Sequence, residues 1–272
     1  MFRLSRTVRF AINRADAAPG VNGYAGNPPM LGLGAHYELD VECVGDLGAS
    51  TGYVINIKEI DRAVRAAALP VLVDAYRNEP TADLCVVLLR AHRALADALA
   101  LPLGTLRWRL TPYHSLEVLG MNPDAVLLRQ KFDFCAAHRL HNPGLSAEEN
   151  RRLFGKCNHL GGHGHNYQFE PCVQLPLPSA ATGAPFALAD LERLADETIV
   201  QRFDHKNLNT DTAEFRDGSG LNPSVENIAR VCFQLLDAAI RRASATSNQQ
   251  HAATLRCVRV WESDRTSCTY PG

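Results

Sequence analysis

The sequence predicts an α+β fold in which a ββααββ unit occurs twice. Two observations carry that expectation. Each half of the 272 residues runs through strand-like and helix-like segments in a similar order. Short stretches of the halves also align. "TLRWRLTPY" sets Thr105, Leu106 and Arg107 over Thr254, Leu255 and Arg256 of "TLRCVRVWE", and "GAHYELDVE" lies over "GHNYQFEPC". The segment "EVLGMNPDA" (117–125) carries Gly, Asn and Pro and reads as a linker. The expected units are therefore 1–118 and 125–272.

The first half opens with "RTVRFAINRA" as a strand with basic residues on one face, a reading preferred to a targeting peptide. "GAHYELDVECVGD" and "GYVINI" read as strands around a turn. "IKEIDRAVRAAALPVLVDAY" and "TADLCVVLLRAHRALADALAL" read as helices, and "TLRWRLTPY" as the closing strand. The second half opens with the strand-like run "AVLLRQKFDFCAAHRL". A short helix at 146–154 follows, with Ser146 and Glu149 at capping-box spacing. "GHNYQFEPCVQLPL" is a strand and "LADLERLADETIVQRF" a helix. In "NPSVENIARVCFQLLDAAIRRA", Val225, Ile228, Cys232, Leu235 and Leu236 recur at helical spacing. "TLRCVRVWE" alternates as a last strand.

A formal net charge of −1 points to no nucleic acid and no anionic membrane surface. No apolar run approaches the roughly 18 residues of a membrane span. The eight cysteines are scattered, mostly in apolar settings, which fits reduced thiols in a cytoplasmic protein. Cys157 differs, lying in the polar, glycine- and histidine-rich stretch "CNHLGGHGHNY" (157–167).

Chemistry concentrates in that stretch. His163 and His165 are two apart on a strand, so they share a face while Gly164 points away. His138 in "CAAHRL" is a candidate third ligand from a neighbouring strand. Three neutral imidazoles leave one tetrahedral position open, as in catalytic zinc. Cys157 reads either as a fourth ligand of a closed site or as a base beside the metal. Asp204 and His205 in "RFDHKNLN" supply the carboxylate and imidazole of a proton relay, or Asp204 only caps a turn. Glu262 shares a strand face with Val258 and Val260, with Arg256 just before. It reads as a solvated strand end or as an acceptor for an amino-pyrimidinone edge. His141 and His159 read as exposed loop residues, and the glycines as room for substrate.

Six stretches in order, "FCAAHRL", "LSAEENRRLFGKCN", "GHGHNY", "FDHKNLN", "VEN" and "VWESD", resemble the 6-pyruvoyl-tetrahydropterin synthase family, which also holds bacterial 6-carboxytetrahydropterin synthases. The match covers about 128–272. It implies the T-fold, with paired helices on one face of an antiparallel sheet and units assembling into a barrel, hence a homo-oligomer. It implies Zn2+ on His138, His163 and His165, Cys157 as base tuned by His205 with Asp204, and Glu262 anchoring a pterin ring. Ser224 and Glu226 would lie by the pterin pocket. The implied substrate is 7,8-dihydroneopterin triphosphate, with Lys156, Arg139, Arg202 and Lys206 as candidate triphosphate cations. Elimination of triphosphate needs no nicotinamide.

The pyruvoyl product is favoured by the Cys-to-His spacing and "FGKCN". The carboxy product and a non-catalytic pterin-binding protein are the alternatives. The sequence departs from the family after "NY", where "PSAATGAPFALADL" keeps Thr182-Gly183 without alternation. In the first half, Leu33 and Ala35 take the places of His163 and His165, and Tyr113 that of Glu262. That half is expected to be a T-fold unit with its site erased.

Overall fold

The structure is a computed structural model in which residues 1–15, 23–177, 186–246 and 253–272 are described. Thr182 and Gly183 lie outside them. The chain divides into two compact units, one on Met1–Leu128 and one on Arg129–Leu175 with Pro185–Gly272. Both mix sheet and helix.

In the first unit, β1 (Phe2–Ile12) and β2 (Ala35–Gly45) precede the helices, and β3 (Leu103–Arg109) and β4 (His114–Leu119) follow them. The strands pair antiparallel in sequence order. Helices α1 (Ile57–Ala63) and α2 (Leu69–Asn78) run on through a π-helical turn at Val64–Ala68, and α3 (Leu84–Ala98) follows. Ile60, Val64, Leu72, Leu88 and Leu95 are buried from the helices, and Val8, Phe10, Leu39, Val41, Leu106 and Val118 from the sheet. The two sets meet because strand alternation and helical periodicity each expose one apolar face. Arg6 leaves the basic face expected of β1. It turns inward and forms a two-pronged pair with Asp61 at 3.0 and 2.9 Å.

Two expectations fail here. "GYVINI" is not a strand. Gly52 adopts φ 68° and bonds back to Gly48 at 2.8 Å, and Asn56 then caps α1 through Lys58 N–H at 3.0 Å. The chain turns at both ends of the segment before a strand can form. The "linker" at 117–125 is partly β4: Val118 faces the core and Glu117 is buried on the opposite face against Arg107, 0% and 6% exposed.

Strand β5 (Ala125–Gln130) carries the chain into the second unit. The expected continuous run breaks at Lys131, and β6 (Phe132–His138) begins. After it come α4 (Ala147–Phe154), a 3-10 turn at Gly155–Asn158, and β7 (His163–Pro176). Next are α5 (Leu188–Ala195), a π-helical turn at Asp196–Val200, and α6 (Gln201–Phe203). Short β8 (Lys206–Asn207) and α7 (Leu208–Asp211) lead to α8 (Val225–Thr246), β9 (Thr254–Ser263) and β10 (Thr266–Tyr270). β7 pairs antiparallel with β6 and β9, β10 with β9, and β8 lies parallel to β6. β10 was not foreseen, because "TSCTY" lacks an apolar alternation.

The core of this unit is aromatic. Phe134 stacks on Tyr167 at 5.1 Å and Phe132 on Phe169 at 5.1 Å, with Phe203 against Phe134 at 5.9 Å. Leu191, Ile199, Ile228, Cys232 and Leu236 are buried from the helices. A register shift between Cys172 and Val173 interrupts the β7–β9 ladder and leaves Arg256 opposite no partner. Arg256 therefore points to solvent and not along the Val258 face. No helix among the described residues is long and apolar enough to cross a membrane.

The capping box on α4 is present, with Ser146 and Glu149 satisfying each other's backbone N–H at 2.8 and 3.2 Å. One turn on, Asn150 is fully buried. It accepts from Asn142 N–H at 2.7 Å and donates to the carbonyls of Asn142, Leu145 and Ser146 at 2.8, 3.1 and 3.0 Å. These bonds fold the segment that leaves His138. Replacing Asn150 by Ala strands several buried backbone groups, so chemical denaturation should show a loss of about 3 kcal/mol.

Candidate metal centre and active site

The register of β6 against β7 builds the centre. Phe132 faces Phe169, Phe134 faces Tyr167, Ala136 faces His165, and His138 faces His163. The face that begins as aromatic core therefore ends in three histidines. One ring nitrogen from each lies within 4.8 Å of the others. Among the described residues this is the one such cluster of three possible metal donors. Cys157 stands outside it, which leaves an open three-histidine set and not a closed four-ligand one.

His138 is fully buried. Its Nδ1 lies 2.7 Å from the Pro223 carbonyl, just before α8. A carbonyl can only accept, so Nδ1 carries the proton and Nε2 presents its lone pair to the centre. Burial pulls the His138 pKa down to about 4, opposed by the Pro223 bond and aided by the two neighbouring imidazoles. His163 is lowered as well, by desolvation first and then by the neighbouring His165, with Glu262 opposing. His138 Nε2 and His163 Nε2 stand 3.1 Å apart. His163 Nδ1 and His165 Nε2 are buried without a hydrogen-bond partner. Neutral imidazoles, converging lone pairs and orphaned nitrogens are the donor chemistry of a borderline-soft cation such as Zn2+.

Glu262 reaches the same place from β9. Its Oε1 is 3.3 Å from His138 Nε2 and 3.6 Å from His165 Nε2. It is an inward-facing strand end, not a solvated one. Tyr167 was missed by sequence reasoning, although it continues the period-two face of His163 and His165. It is fully buried and its hydroxyl has no partner. Burial first, then charge on Glu262 and Cys157, pushes its ionisation above the ordinary range. Cys157 is thus within electrostatic reach of Tyr167. Its turn is fastened to the strand leaving His138: Leu140 N–H donates to the Cys157 carbonyl at 2.8 Å, and Asn158 Nδ2 to the Leu140 carbonyl at 2.7 Å.

Asp204 and His205 meet each other but sit elsewhere. Asp204 Oδ2 accepts from His205 Nδ1 at 2.7 Å, and its other oxygen takes Cys135 N–H at 2.8 Å. The Cys135 bond first, then His205, holds the Asp204 carboxyl below the usual range. His205 adopts φ 56° and is 81% exposed. With Lys206 it borders an open groove lined also by Cys135, Ala136, Ala137, Gly164, His165 and Asn166. The Cys135, Ala137 and Asn166 side chains point away from the His138 face, since they alternate with it.

Other expectations change. Ser224 lies in the first turn before α8, where its carbonyl accepts Ile228 N–H at 2.9 Å; its neighbour Pro223 is what touches the centre. Glu226 is exposed and acts on Cys268. Arg202 is engaged by Glu214 at 2.6 Å. Arg139 and Lys156 line one groove with Arg151 and His159. His141 is half-buried, 3.2 Å from Arg139 and 3.1 Å from Asn158, while His159 is exposed as expected. Gly162 makes room for the chain and not for substrate. At φ 67°, a Cβ there would meet the His138 carbonyl at 2.9 Å.

The depressed His138 pKa has a consequence for stability. The unfolded imidazole titrates near 6.5 and the folded one near 4. Between these values the unfolded chain holds a proton that the folded chain does not. This contribution is complete above pH 6.5 and is lost as pH falls toward 4, with a slope of about 1.4 kcal/mol per pH unit. Urea unfolding of metal-free protein at pH 7, 6 and 5 should show that slope, and His138→Gln should flatten it.

The family model for 6-pyruvoyl tetrahydropterin synthase matches residues 127–272. The 6-pyruvoyl tetrahydrobiopterin synthase of Homo sapiens is 36% identical over 143 residues, covering 53% of this chain and 89% of the human one. That of Drosophila melanogaster is 41% identical over 112 residues, covering 41% and 63%. The solved 6-pyruvoyl tetrahydropterin synthase of Caenorhabditis elegans is 30% identical with a TM-score of 0.47, covering 54% of this chain and 96% of that one. Through its second half, the chain belongs to the 6-pyruvoyl tetrahydropterin synthase family.

Proposed function

We propose that the chain is a zinc-dependent lyase that eliminates triphosphate from 7,8-dihydroneopterin triphosphate to give 6-pyruvoyl-tetrahydropterin. The observation that carries this reading is the convergence of three imidazoles with the Glu262 carboxylate beside them. The human relative's name supports the product. A zinc ion on His138, His163 and His165 supplies Lewis-acid polarisation of the substrate's side-chain hydroxyls.

The chain's own residues do the rest. Glu262 accepts two N–H bonds from the amino-pyrimidinone edge and orients the pterin. Cys157 takes the proton from the side-chain carbon, and the C–O bond to triphosphate breaks. Asp204 fixes the His205 tautomer, so His205 Nε2 is free to exchange a proton with the thiol. The dyad's exposure supports a site completed by a second copy, with His205 of one chain serving Cys157 of another. Arg139, Lys156 and Lys206 are the cations left for the triphosphate. Ser224 and Glu226 keep a pterin-binding role here only through their nearness to Pro223.

We read the first unit as a T-fold copy without the site, kept for a shared barrel. Its strands pair in the same order, and cross-strand register aligns the two. Leu39 faces Trp108 as Phe169 faces Val260. The counterpart of Glu262 by this register is Leu110, three residues before Tyr113. The offset comes from setting Thr105-Leu106-Arg107 on Thr254-Leu255-Arg256, three residues out of this register; both units carry the same register shift, at Glu42/Cys43 and at Cys172/Val173.

The test is incubation of zinc-loaded protein with dihydroneopterin triphosphate, with triphosphate and pterin products measured. Absence of triphosphate release overturns the reading, and a carboxy product overturns the pyruvoyl assignment. Cys157→Ala should lower triphosphate release about 10²–10⁴-fold while zinc content stays at the wild-type value.

A further inference from the structure

Cys172 and Cys257 lie directly opposite each other on β7 and β9. Both belong to the sheet face that carries Glu170 and Arg259, the side away from the histidines. Directly opposed residues of antiparallel strands have Cβ atoms about 4.5–5.5 Å apart, and a disulfide needs about 3.5–4.5 Å. A small approach of the strands is enough. The ladder gives it room, since its register shifts immediately beyond Cys172.

The surroundings favour reaction over inert packing. The two thiols hydrogen-bond each other, and Arg129 of β5 reaches Cys257 with both a hydrogen bond and its charge. Glu170 stands 3.8 Å from Arg129 and opposes this in part. Burial pushes the thiols of Cys43, Cys85, Cys232 and Cys268 up. Cys257 goes the other way: the Cys172 bond first, then Arg129, outweighs its burial. Thiolate character decides which cysteine attacks. Accessibility adds an order of events, because Cys257 is half-buried and Cys172 is 1% exposed.

We propose that Cys172 and Cys257 are a reversible dithiol site that closes to a cross-strand disulfide on meeting a low-molecular-weight disulfide. Cys257 Sγ attacks one sulfur of the oxidant, forming a mixed disulfide and releasing one thiolate. Cys172 gives its proton to solvent and attacks Cys257 Sγ, releasing the second thiolate. The oxidant is reduced to two thiols as the pair loses two hydrogens. The new bond ties the strand of His163 and His165 to the strand of Glu262, five residues from that carboxylate.

The experiment is peptide mapping under non-reducing conditions after the reduced full chain is treated with oxidised glutathione. The expected product is a Cys172–Cys257 peptide pair lighter by two hydrogens, reopened by dithiothreitol. In Cys172→Ser, Cys257 should instead keep a glutathione adduct. A wild-type Cys257 that retains glutathione overturns the proposal. So does a pair left unmodified while the exposed Cys135 reacts.

Discussion

The register of β6 against β7 is the constraint on which the second unit depends. A strand places alternate side chains on opposite faces, so a slip of one residue would send all three histidines to the outer face. Two aromatic pairs prevent it. Phe132 on Phe169 and Phe134 on Tyr167 occupy the rungs before Ala136–His165 and His138–His163. Hydrophobic packing at one end of the ladder thus sets chemistry at the other. The centre needs no loop of its own to gather its donors.

That arrangement also explains the electrostatics. Histidines at the end of an apolar face are desolvated, which favours the neutral, metal-ready form. Pro223 fixes the proton on the far nitrogen of His138, and the strand pairing brings the Glu262 carboxylate against the cluster. Tyr167 sits between the aromatic and histidine sections and belongs to both. It stacks on Phe134 and meets His138 and His165 edge-on at 6.0 and 5.5 Å.

Much of this was legible in the sequence because it follows from short periods. His163 and His165 announce their shared face by spacing, α4 its cap by Ser146 and Glu149, and α8 its buried stripe by Ile228 and Cys232. What was not legible depends on partners distant in the chain. Glu117 looked like linker because its burial comes from pairing with Arg107 at 2.6 Å. The local match of Thr105-Leu106-Arg107 with Thr254-Leu255-Arg256 made Tyr113 look equivalent to Glu262, three residues out of the strand register. Local spacing did not reveal that Asp204 and His205 border the opposite side of β6, since β8 joins that sheet as two isolated residues.

The shorter ladder of the first unit bears on whether a second centre could be engineered there. β1 and β2 stop pairing at Ile12 and Ala35, the rung that corresponds to Ala136 and His165. The rung that would hold the other two donors does not exist, and Leu33 stands 90% exposed in a turn. Histidines grafted at 33 and 35 would have no opposing strand to supply a third. Building a centre there is a matter of backbone, two more residues of paired strand, before it is a matter of side chains. Point substitution alone offers no short route to metal binding in that half.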